Sequence, residues 1–362
     1  MRTRGELVQL LERSGISFQT IESGRAWLIV CPALAARIMG AGIGEENAFW
    51  VPPSLSTRGW ADGGNAGGQR TWIAPEGGPA GFFFSPDGTR WSVLTDLDPG
   101  HYRAAPAPAG GLSFRTELTA RTSHGASRRI SLVRGMGLEE SAADPGAALT
   151  IRFRHELGNA GSSTLGRTIG LWSIIQLPCE VQGTIFFAAR SSAARSHGAA
   201  LNRYFGVLPT ESTGDEGSTL RLRVKGGARF KAGMSPADFA GAVGFVRRAR
   251  VPDEGRNLLT LTVMRFDVDP AGTYVDKSSH TVPSAPANGD AAQAYCDAGT
   301  GDLAFCEIES HAPAALLAPG ASQGQDILIT IARLDRRELA GFMRDNLGIE
   351  PLPANALPGS QA

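Results

Sequence analysis

Short runs in which apolar and polar residues alternate recur along most of the chain. In the clearest run, residues 149–157, the side chains of Ile151, Phe153 and His155 share one face of an extended chain, and Arg152 points to the other. Further strand-length runs lie at 17–21, 26–30, 36–39, 82–84, 91–94, 112–121, 128–134, 148–156, 167–177, 183–189, 219–224, 239–247, 258–266, 303–309 and 326–334. Gly, Ser, Asn and Pro cluster between many of them, which is typical of turns that join short strands.

Two segments have the helical period instead. In Glu6–Ser14, the residues Leu7, Leu10 and Leu11 form one apolar stripe, and residues 335–346 predict a final helix. Because strands and helices do not alternate, the pattern predicts an all-β protein. We expect a large antiparallel two-sheet β-sandwich with short N- and C-terminal helices.

The composition does not change along the chain in a way that separates large domains. We expect residues 1–24 to contribute a helix and a first strand that pack on the sandwich, and residues 25–346 to form the single sandwich domain. Residues 347–362 are expected to form a flexible tail. Residues 271–301 are rich in Gly, Ser, Pro and Asp, which predicts a long loop between strands. This loop, called the excursion below, is expected to be either functional or flexible.

Charge and targeting signals narrow the class of protein. The 35 Lys and Arg residues balance the 35 Asp and Glu residues, which removes the usual electrostatic argument for a nucleic acid partner. No apolar run is long enough for a membrane span, and the first residues lack the apolar core of a secretory signal, so a cytoplasmic location is expected. The four cysteines contain no Cys-x-x-Cys pair, which favours buried thiols over a zinc or redox motif.

The stretch from residue 303 to 320 carries the first candidate chemistry. It begins as a strand in which Phe305, Glu307 and Glu309 point to one face, and His311 continues that face. Two carboxylates and an imidazole are costly to bury in an apolar core, so this face predicts a pocket wall, with a solvated strand face as the alternative. Paired acids beside a histidine suit general acid–base catalysis. The histidines have no close ligand spacing, so we expect no metal.

Two further clusters carry side chains that suit sugar binding. The first cluster offers a guanidinium with several hydrogen-bond donors (Arg70), an aromatic surface (Trp72) and a carboxylate (Glu76). The alternative is a structural tryptophan beside an ion pair on the surface. Trp172 and Gln176 would share one strand face, and here a buried core tryptophan is the alternative. His155 lies on an apolar face and is predicted to be a hydrogen-bonded core histidine.

Three motifs in these clusters resemble the galactose mutarotase-like superfamily. They are Arg-Thr-Trp-Ile-Ala-Pro-Glu-Gly-Gly at 70–78, Leu-Trp-Ser-Ile-Ile-Gln-Leu-Pro at 171–178, and Glu-Ile-Glu-Ser-His-Ala-Pro-Ala-Ala-Leu-Leu-Ala-Pro-Gly at 307–320. The resemblance spans residues 25–335 and implies an aldose epimerase-like β-sandwich that presents a concave sheet face to carbohydrate.

The resemblance also implies roles for single residues. In the epimerases of this superfamily, a glutamate late in the chain takes the proton of the anomeric hydroxyl, and Glu309 or Glu307 matches it by position. The mid-chain histidine that protonates the ring oxygen has no clear match, which leaves His311, Arg70 or Lys231 as the acid. Lys231 stands where such proteins often carry a lysine.

The resemblance therefore implies a carbohydrate-active protein that performs epimerase- or isomerase-type proton transfer. A phosphorylated sugar would need more clustered Arg and Lys residues than the candidate site offers, so a neutral sugar is expected. Glycoside lyase or hydrolase activity with the same acids, and carbohydrate binding without catalysis, are the alternatives. The expected ligand is a mono- or oligosaccharide, with no cofactor, no metal, and no nucleic acid or membrane partner, in a monomer or homodimer. The expected catalytic residues are Glu309, Glu307 and His311, and the expected substrate-binding residues are Arg70, Trp72, Glu76, Trp172 and Lys231.

Overall fold

The computed structural model describes residues 2–59, 64–139, 147–190, 201–209, 219–252, 256–276 and 289–358. These residues form two α-helices, α1 (Arg4–Arg13) and α2 (Arg336–Leu347), and two β-sheets. The strands are β1 (Gln19–Ser23), β2 (Ala26–Cys31), β3 (Arg37–Ile43), β4 (Glu46–Asn47), β5 (Gln69–Ala74), β6 (Arg103–Ala104), β7 (Leu112–Arg121), β8 (Ser127–Glu139), β9 (Ala148–Asn159), β10 (Gly170–Pro178), β11 (Gly183–Ala189), β12 (Asn202–Phe205), β13 (Thr219–Val224), β14 (Phe230–Met234), β15 (Phe239–Arg248), β16 (Leu259–Phe266), β17 (Ala292–Cys296), β18 (Phe305–His311) and β19 (Ser322–Leu334).

The two sheets are antiparallel and share one core. Within the described ranges, the first sheet has the order β1-β2-β3-β5-β10-β18-β17-β14-β12, with β4 paired to β3. The second has the order β13-β11-β15-β16-β19-β9-β8-β7-β6. Val30 and Ile308 of the first sheet meet Phe153, Phe187 and Ile329 of the second in one apolar cluster. The all-β, two-sheet sandwich expected from the alternation is confirmed.

Helix α1 covers the outer face of the first sheet near its edge. Thr3 caps its N-terminus, and Glu6 completes a capping box by accepting a hydrogen bond from the Thr3 backbone N–H. The predicted stripe of leucines is buried, and Leu7 and Leu11 pack in one cluster with Trp27 of β2. Strand β1, which follows the helix, pairs with β2 at the end of the sheet.

Helix α2 packs on the outer face of the second sheet. Its Leu339 and Met343 join the apolar cluster of that face, and the helix ends at Gly348 in the left-handed conformation. The segment after the helix departs from the expected flexible tail: Leu352 and Leu357 are buried in the same cluster, while residues 359–362 lie outside the described residues. Neither helix is long and apolar enough to cross a membrane.

Five strands of the first sheet were not predicted. They are β4, β5, β12, β14 and β17, and β17 lies inside the expected excursion of residues 271–301. Two predicted strands, at 82–84 and 91–94, are wrong, because that segment contributes only a single bridge between Phe84 and Trp91. All four cysteines are buried free thiols, as expected.

Candidate functional site

Strand register brings the three sequence clusters onto one face of the first sheet. Strand β10 pairs Trp172 with His311 and Gln176 with Glu307 on β18. Its other edge pairs Trp172 with Trp72 on β5. Directly paired residues of antiparallel strands point to the same side of the sheet, so these side chains form rows across three strands. The shared face predicted for Trp172 and Gln176 follows from this register.

The same rows continue on the other side of β18. Glu307 pairs with Tyr295 of β17, Tyr295 pairs with Lys231 of β14, and Lys231 pairs with Phe205 of β12. One row of side chains thus crosses five neighbouring strands from Gln176 to Phe205. The strands that sequence patterning missed complete the wall.

This face lines a cavity of about 680 Å³. Seven of the eight residues expected at the site contribute to its wall, and His311 is the exception. The wall consists of Asn65, Arg70, Trp72, Glu76, Phe84, Gly88, Trp91, Trp172, Gln176, Phe205, Gly206, Arg229, Lys231, Tyr295, Asp297, Phe305, Glu307 and Glu309.

Glu309 sits at the closed end of the cavity and is fully buried. The indole Nε1 of Trp172 donates a 2.8 Å hydrogen bond to Glu309 Oε2. The ammonium of Lys231 lies 3.5 Å from the same oxygen and 4.5 Å from the centre of the Trp172 ring. One carboxylate oxygen is therefore fixed by a donor and a cation.

Glu307 is held by two donors from neighbouring strands. Arg70 Nη2 donates a 2.9 Å hydrogen bond to Glu307 Oε1, and Gln176 Nε2 donates one of 2.6 Å to the same oxygen. The Arg70 guanidinium carbon lies 4.2 Å from the centre of the Trp72 ring, within the range of a cation–π interaction. Arg70, Gln176 and Glu307 thus form a rigid polar floor beside Glu309.

Lys231 is surrounded by carboxylates. Besides Glu309, its ammonium lies 3.4 Å from Glu76 Oε2 and 3.9 Å from Asp276 Oδ2. Asp276 also accepts a 2.8 Å hydrogen bond from the Glu76 backbone N–H, so it fixes the loop that carries Glu76. Trp91 Nε1 donates to the other Glu76 oxygen at 3.1 Å. Asp276 was missed from the sequence because it lies in the expected excursion, where no strand pattern marks it.

Behind Asp276 lies a second buried carboxylate. Gln293 Nε2 donates to Asp276 Oδ2 at 3.0 Å and to the Tyr204 hydroxyl at 2.8 Å. Tyr204 in turn donates to Asp290 Oδ2 at 2.8 Å. Burial raises the pKa of Asp290 to about 6, and the hydrogen bonds from Tyr204 and Asn202 oppose that shift.

The three glutamates of the cavity have different acidities. Burial disfavours the charge of each one. For Glu309, burial is the largest single influence, but the charge of Lys231 together with His311 and the hydrogen bond from Trp172 outweighs it, and the pKa is lowered. For Glu307 and Glu76, burial prevails over the attraction of Arg70 and Lys231 respectively, and both pKa values are raised. Carboxyl groups whose pKa values are pushed apart in one cavity are suited to acid and base roles.

Several buried polar atoms of the wall have no hydrogen-bond partner among the described residues. They are Arg70 Nε and Nη1, which are donors, and Gln176 Oε1 and Glu309 Oε1, which are acceptors. Buried polar groups in proteins are nearly always paired, so an unpaired set on a cavity wall requires a ligand or water to satisfy it. Such a set suits a ligand whose groups both donate and accept.

His311 lies behind the cavity. Its ring stacks on that of Trp172, with 5.4 Å between centroids, and its Nε2 lies 3.9 Å from Glu309 Oε2. In this position it contacts the candidate base rather than the cavity.

His155 is a core histidine, as predicted. It is fully buried and forms hydrogen bonds with Gln325 at 2.8 Å and with Thr71 at 3.2 Å. Burial lowers its pKa to about 3.

Among the residues that the structure describes, no group of three His, Cys, Asp or Glu side chains is arranged to hold a metal ion. The carboxylates nearest one another share Lys231 as their counter-charge instead.

The two-sheet sandwich is also found in solved structures of other proteins. A candidate aldose 1-epimerase from Escherichia coli K12 superposes with a TM-score of 0.52 at 15% identity, over 88% of this chain and 100% of that chain. A galactose mutarotase-like protein from Lactobacillus casei ATCC 334 gives a TM-score of 0.48 at 10% identity, over 88% of this chain and 100% of that one. The chain therefore shares the fold of the E. coli structure, as the sequence motifs indicated.

The chain belongs to DUF6786, a family of unknown function, whose model matches residues 5–350. A comparison with curated proteins finds no significant match.

Proposed function

We propose that the chain binds a neutral sugar in the concave cavity and transfers protons on it, as an aldose epimerase or isomerase does. The observation that carries this proposal is the unpaired polar set on the wall: two donors of Arg70 and the acceptors of Gln176 and Glu309. Sugar hydroxyls both donate and accept, so one ring satisfies such a set. Trp72 and Trp172 are buried and hold the cations of Arg70 and Lys231 in place at this end of the cavity.

The charge of the cavity favours a neutral ligand over a phosphorylated one. Four carboxylates, those of Glu76, Asp276, Glu307 and Glu309, surround only two cations, Arg70 and Lys231. Both cations are already paired with these carboxylates. An anionic phosphate would therefore find neither of these cations free to bind it.

In the proposed reaction, Glu309 is the general base. Its lowered pKa keeps it ionised, and Oε1 is free of partners among the described residues. It would accept the proton of the anomeric hydroxyl while an acid donates a proton to the ring oxygen, so that the bond between C1 and the ring oxygen breaks. Rotation of the aldehyde and closure in the reverse sense would complete the epimerisation.

The acid is better supplied by a glutamate than by Lys231 or His311. Burial opposes the charge of Lys231, but Glu309 and Glu76 outweigh it and raise the lysine pKa, so the ammonium holds its proton. Glu307 and Glu76, whose pKa values are raised, retain a proton to higher pH. His311 would act as a positioning residue that orients Glu309.

The test is anomer interconversion, followed by NMR on a panel of free hexoses. Glu309→Gln keeps the shape of the side chain but cannot accept the proton, so we expect the catalysed rate to fall by about 10²- to 10⁴-fold. The matched control is Glu117→Gln, an exposed glutamate of the second sheet, which should keep the wild-type rate.

Three outcomes are informative. If no hexose equilibrates faster than background with the wild-type chain, epimerisation is wrong. Tight sugar binding that survives Glu309→Gln, with no turnover, would instead establish the binding-only alternative. Release of a reducing end or of an unsaturated sugar from glycosides would indicate hydrolase or lyase chemistry with the same acids.

A further inference from the structure

The cavity has a second wall that the proposed reaction does not use. It consists of Phe205, Arg229, Tyr295, Asp297 and Phe305, which we call the outer wall. Most of these residues are partly or fully exposed, whereas Glu309 and Arg70 at the closed end are buried. Phe205, Tyr295 and Phe305 lie on β12, β17 and β18, and Arg229 and Asp297 lie directly beside the ends of β14 and β17.

Three aromatic rings of the outer wall are grouped around one space. Phe205 and Tyr295 have centroids 6.2 Å apart and nearly perpendicular planes, and Tyr295 and Phe305 are 6.0 Å apart. Phe305 is supported from behind by Trp50 at 4.6 Å. Aromatic rings left partly in water beside a cavity are costly surfaces unless a ligand covers them.

Polar groups are fixed at the rim of the same wall. The guanidinium of Arg229 lies 4.9 Å from the Phe205 ring centre. The Tyr295 hydroxyl donates a 2.6 Å hydrogen bond to Asp297 and accepts one of 3.4 Å from Arg229. The outer wall therefore offers partly exposed rings for the C–H face of a sugar, with a guanidinium and a carboxylate for its hydroxyls.

Gly206, which follows Phe205 and also lines the cavity, lies against the backbone of the neighbouring strand β14. It has φ of +74°, and a Cβ atom there would lie 2.2 Å from the backbone oxygen of Arg229. Only glycine fits this conformation and this close approach. The residue after Phe205 thus presents bare backbone to the cavity.

Resting on the proposed function, we infer that the outer wall is a second sugar subsite, and that a reducing saccharide of two or more units, with its free anomeric carbon at the closed end, binds more tightly than a free hexose. The first unit occupies the closed end against Arg70 and Glu309. The next unit lies on Tyr295 and Phe305 and is bound at its hydroxyls by Arg229 and Asp297. The volume of about 680 Å³ is typical of sites for ligands larger than a single hexose.

The test is calorimetric titration with α- and β-linked disaccharides of glucose, galactose and mannose, and with the three free hexoses. We expect at least one disaccharide to bind the wild-type chain about tenfold more tightly than its component hexose. Phe205→Ala combined with Arg229→Gln should bring the two affinities together. Arg229→Gln alone, at an exposed position that should not disturb folding, should remove part of the difference. Val207→Ala, an exposed neighbour outside the wall, is the matched control and should preserve it.

The failures of the subsite and of the proposed function are distinguishable. If hexoses and disaccharides bind the wild-type chain equally, or if the outer-wall variants weaken both alike, the second subsite is wrong while sugar binding at the closed end stands. If neither class binds, sugar binding itself is wrong and the second subsite is wrong with it.

Discussion

Lys231 determines the charge state of the candidate base. Its ammonium lies between Glu309 and Glu76, and it is the largest influence that lowers the pKa of Glu309 against the effect of burial. Glu307 also lies beside a cation, Arg70, but there burial prevails and the pKa is raised. Two glutamates that are two residues apart on one strand therefore have pKa values shifted in opposite directions.

This dependence predicts a shift in the pH profile. In the wild-type chain, a lowered Glu309 pKa keeps the base ionised as the pH falls, so the acidic limb of kcat/KM should lie below the ordinary glutamate value of about 4.3. In Lys231→Met, that limb should move upward by about one pH unit or more. Lys231→Arg retains the positive charge and should leave the limb near its wild-type position.

Hexose conversion at 0.5-unit steps from about pH 3 to 8 measures the limb. An acidic limb that does not move in Lys231→Met would mean that Lys231 does not control the base. Because Glu307 and Glu309 interact closely, the observed values belong to the pair rather than to either residue.

At the scale of the elements, the hydrophobic pattern identified two kinds of strand: those with one exposed face and those buried among apolar residues on both faces. β9 and β7 alternate because one face is exposed, and β2 and β11 are continuous apolar runs. β5 and β14 are buried on both faces but carry Arg70 and Lys231, because one face lines the cavity. Their pattern is neither alternating nor apolar, so the strands that form the site were the hardest to predict.

Close packing between neighbouring strands gives a prediction for β15. A Cβ atom on Gly244 would lie 2.4 Å from the buried ring of Phe186 on β11 and 2.9 Å from the backbone oxygen of Thr262 on β16. Because neither group has room to move in a packed core, Gly244→Ala should destabilise the fold by about 1–3 kcal/mol.

Gly135→Ala on β8 is the matched control, because its Cβ would meet nothing closer than 3.9 Å. Urea unfolding of the two variants and the wild type measures the difference. Equal stability of Gly244→Ala and Gly135→Ala would show that β11 and β15 separate more easily than their packing indicates.

For the whole molecule, the order of strands in the first sheet decides where the site lies. Residues 70, 172, 231 and 309 are far apart in the chain and converge because β5, β10, β18, β17 and β14 are neighbours. Alternation placed Glu307 and Glu309 on one face, and chemistry suggested Arg70 and Trp72 as partners. Strand order and register arise from long-range pairing, so Asp276 and, apart from Phe305, the outer wall had no signal in the sequence.

The two sheets are also joined by a buried ion pair. Arg247 of β15 donates a 2.9 Å hydrogen bond to Glu46 of β4, and both side chains are almost fully buried. Glu46 also accepts from Thr260 and from the backbone N–H of Val251. Burial opposes the charge of Glu46, but Arg247 and the backbone donors outweigh it, and the pKa is lowered.

Glu46→Gln should therefore destabilise the sandwich by about 3 kcal/mol at pH 7, because it leaves the Arg247 charge buried without its counter-charge. A carboxyl group whose pKa is lowered by folding stabilises above its unfolded value and loses that contribution as the pH falls. The difference in unfolding free energy between wild type and variant should thus begin to shrink below about pH 4.3.

Urea unfolding at pH 7 and at acidic pH measures this gap in stability. The control is Glu117→Gln, in an exposed ion pair, which should change the stability little. A gap that is absent at pH 7, or that persists unchanged in acid, would show that apolar packing alone holds the two sheets together.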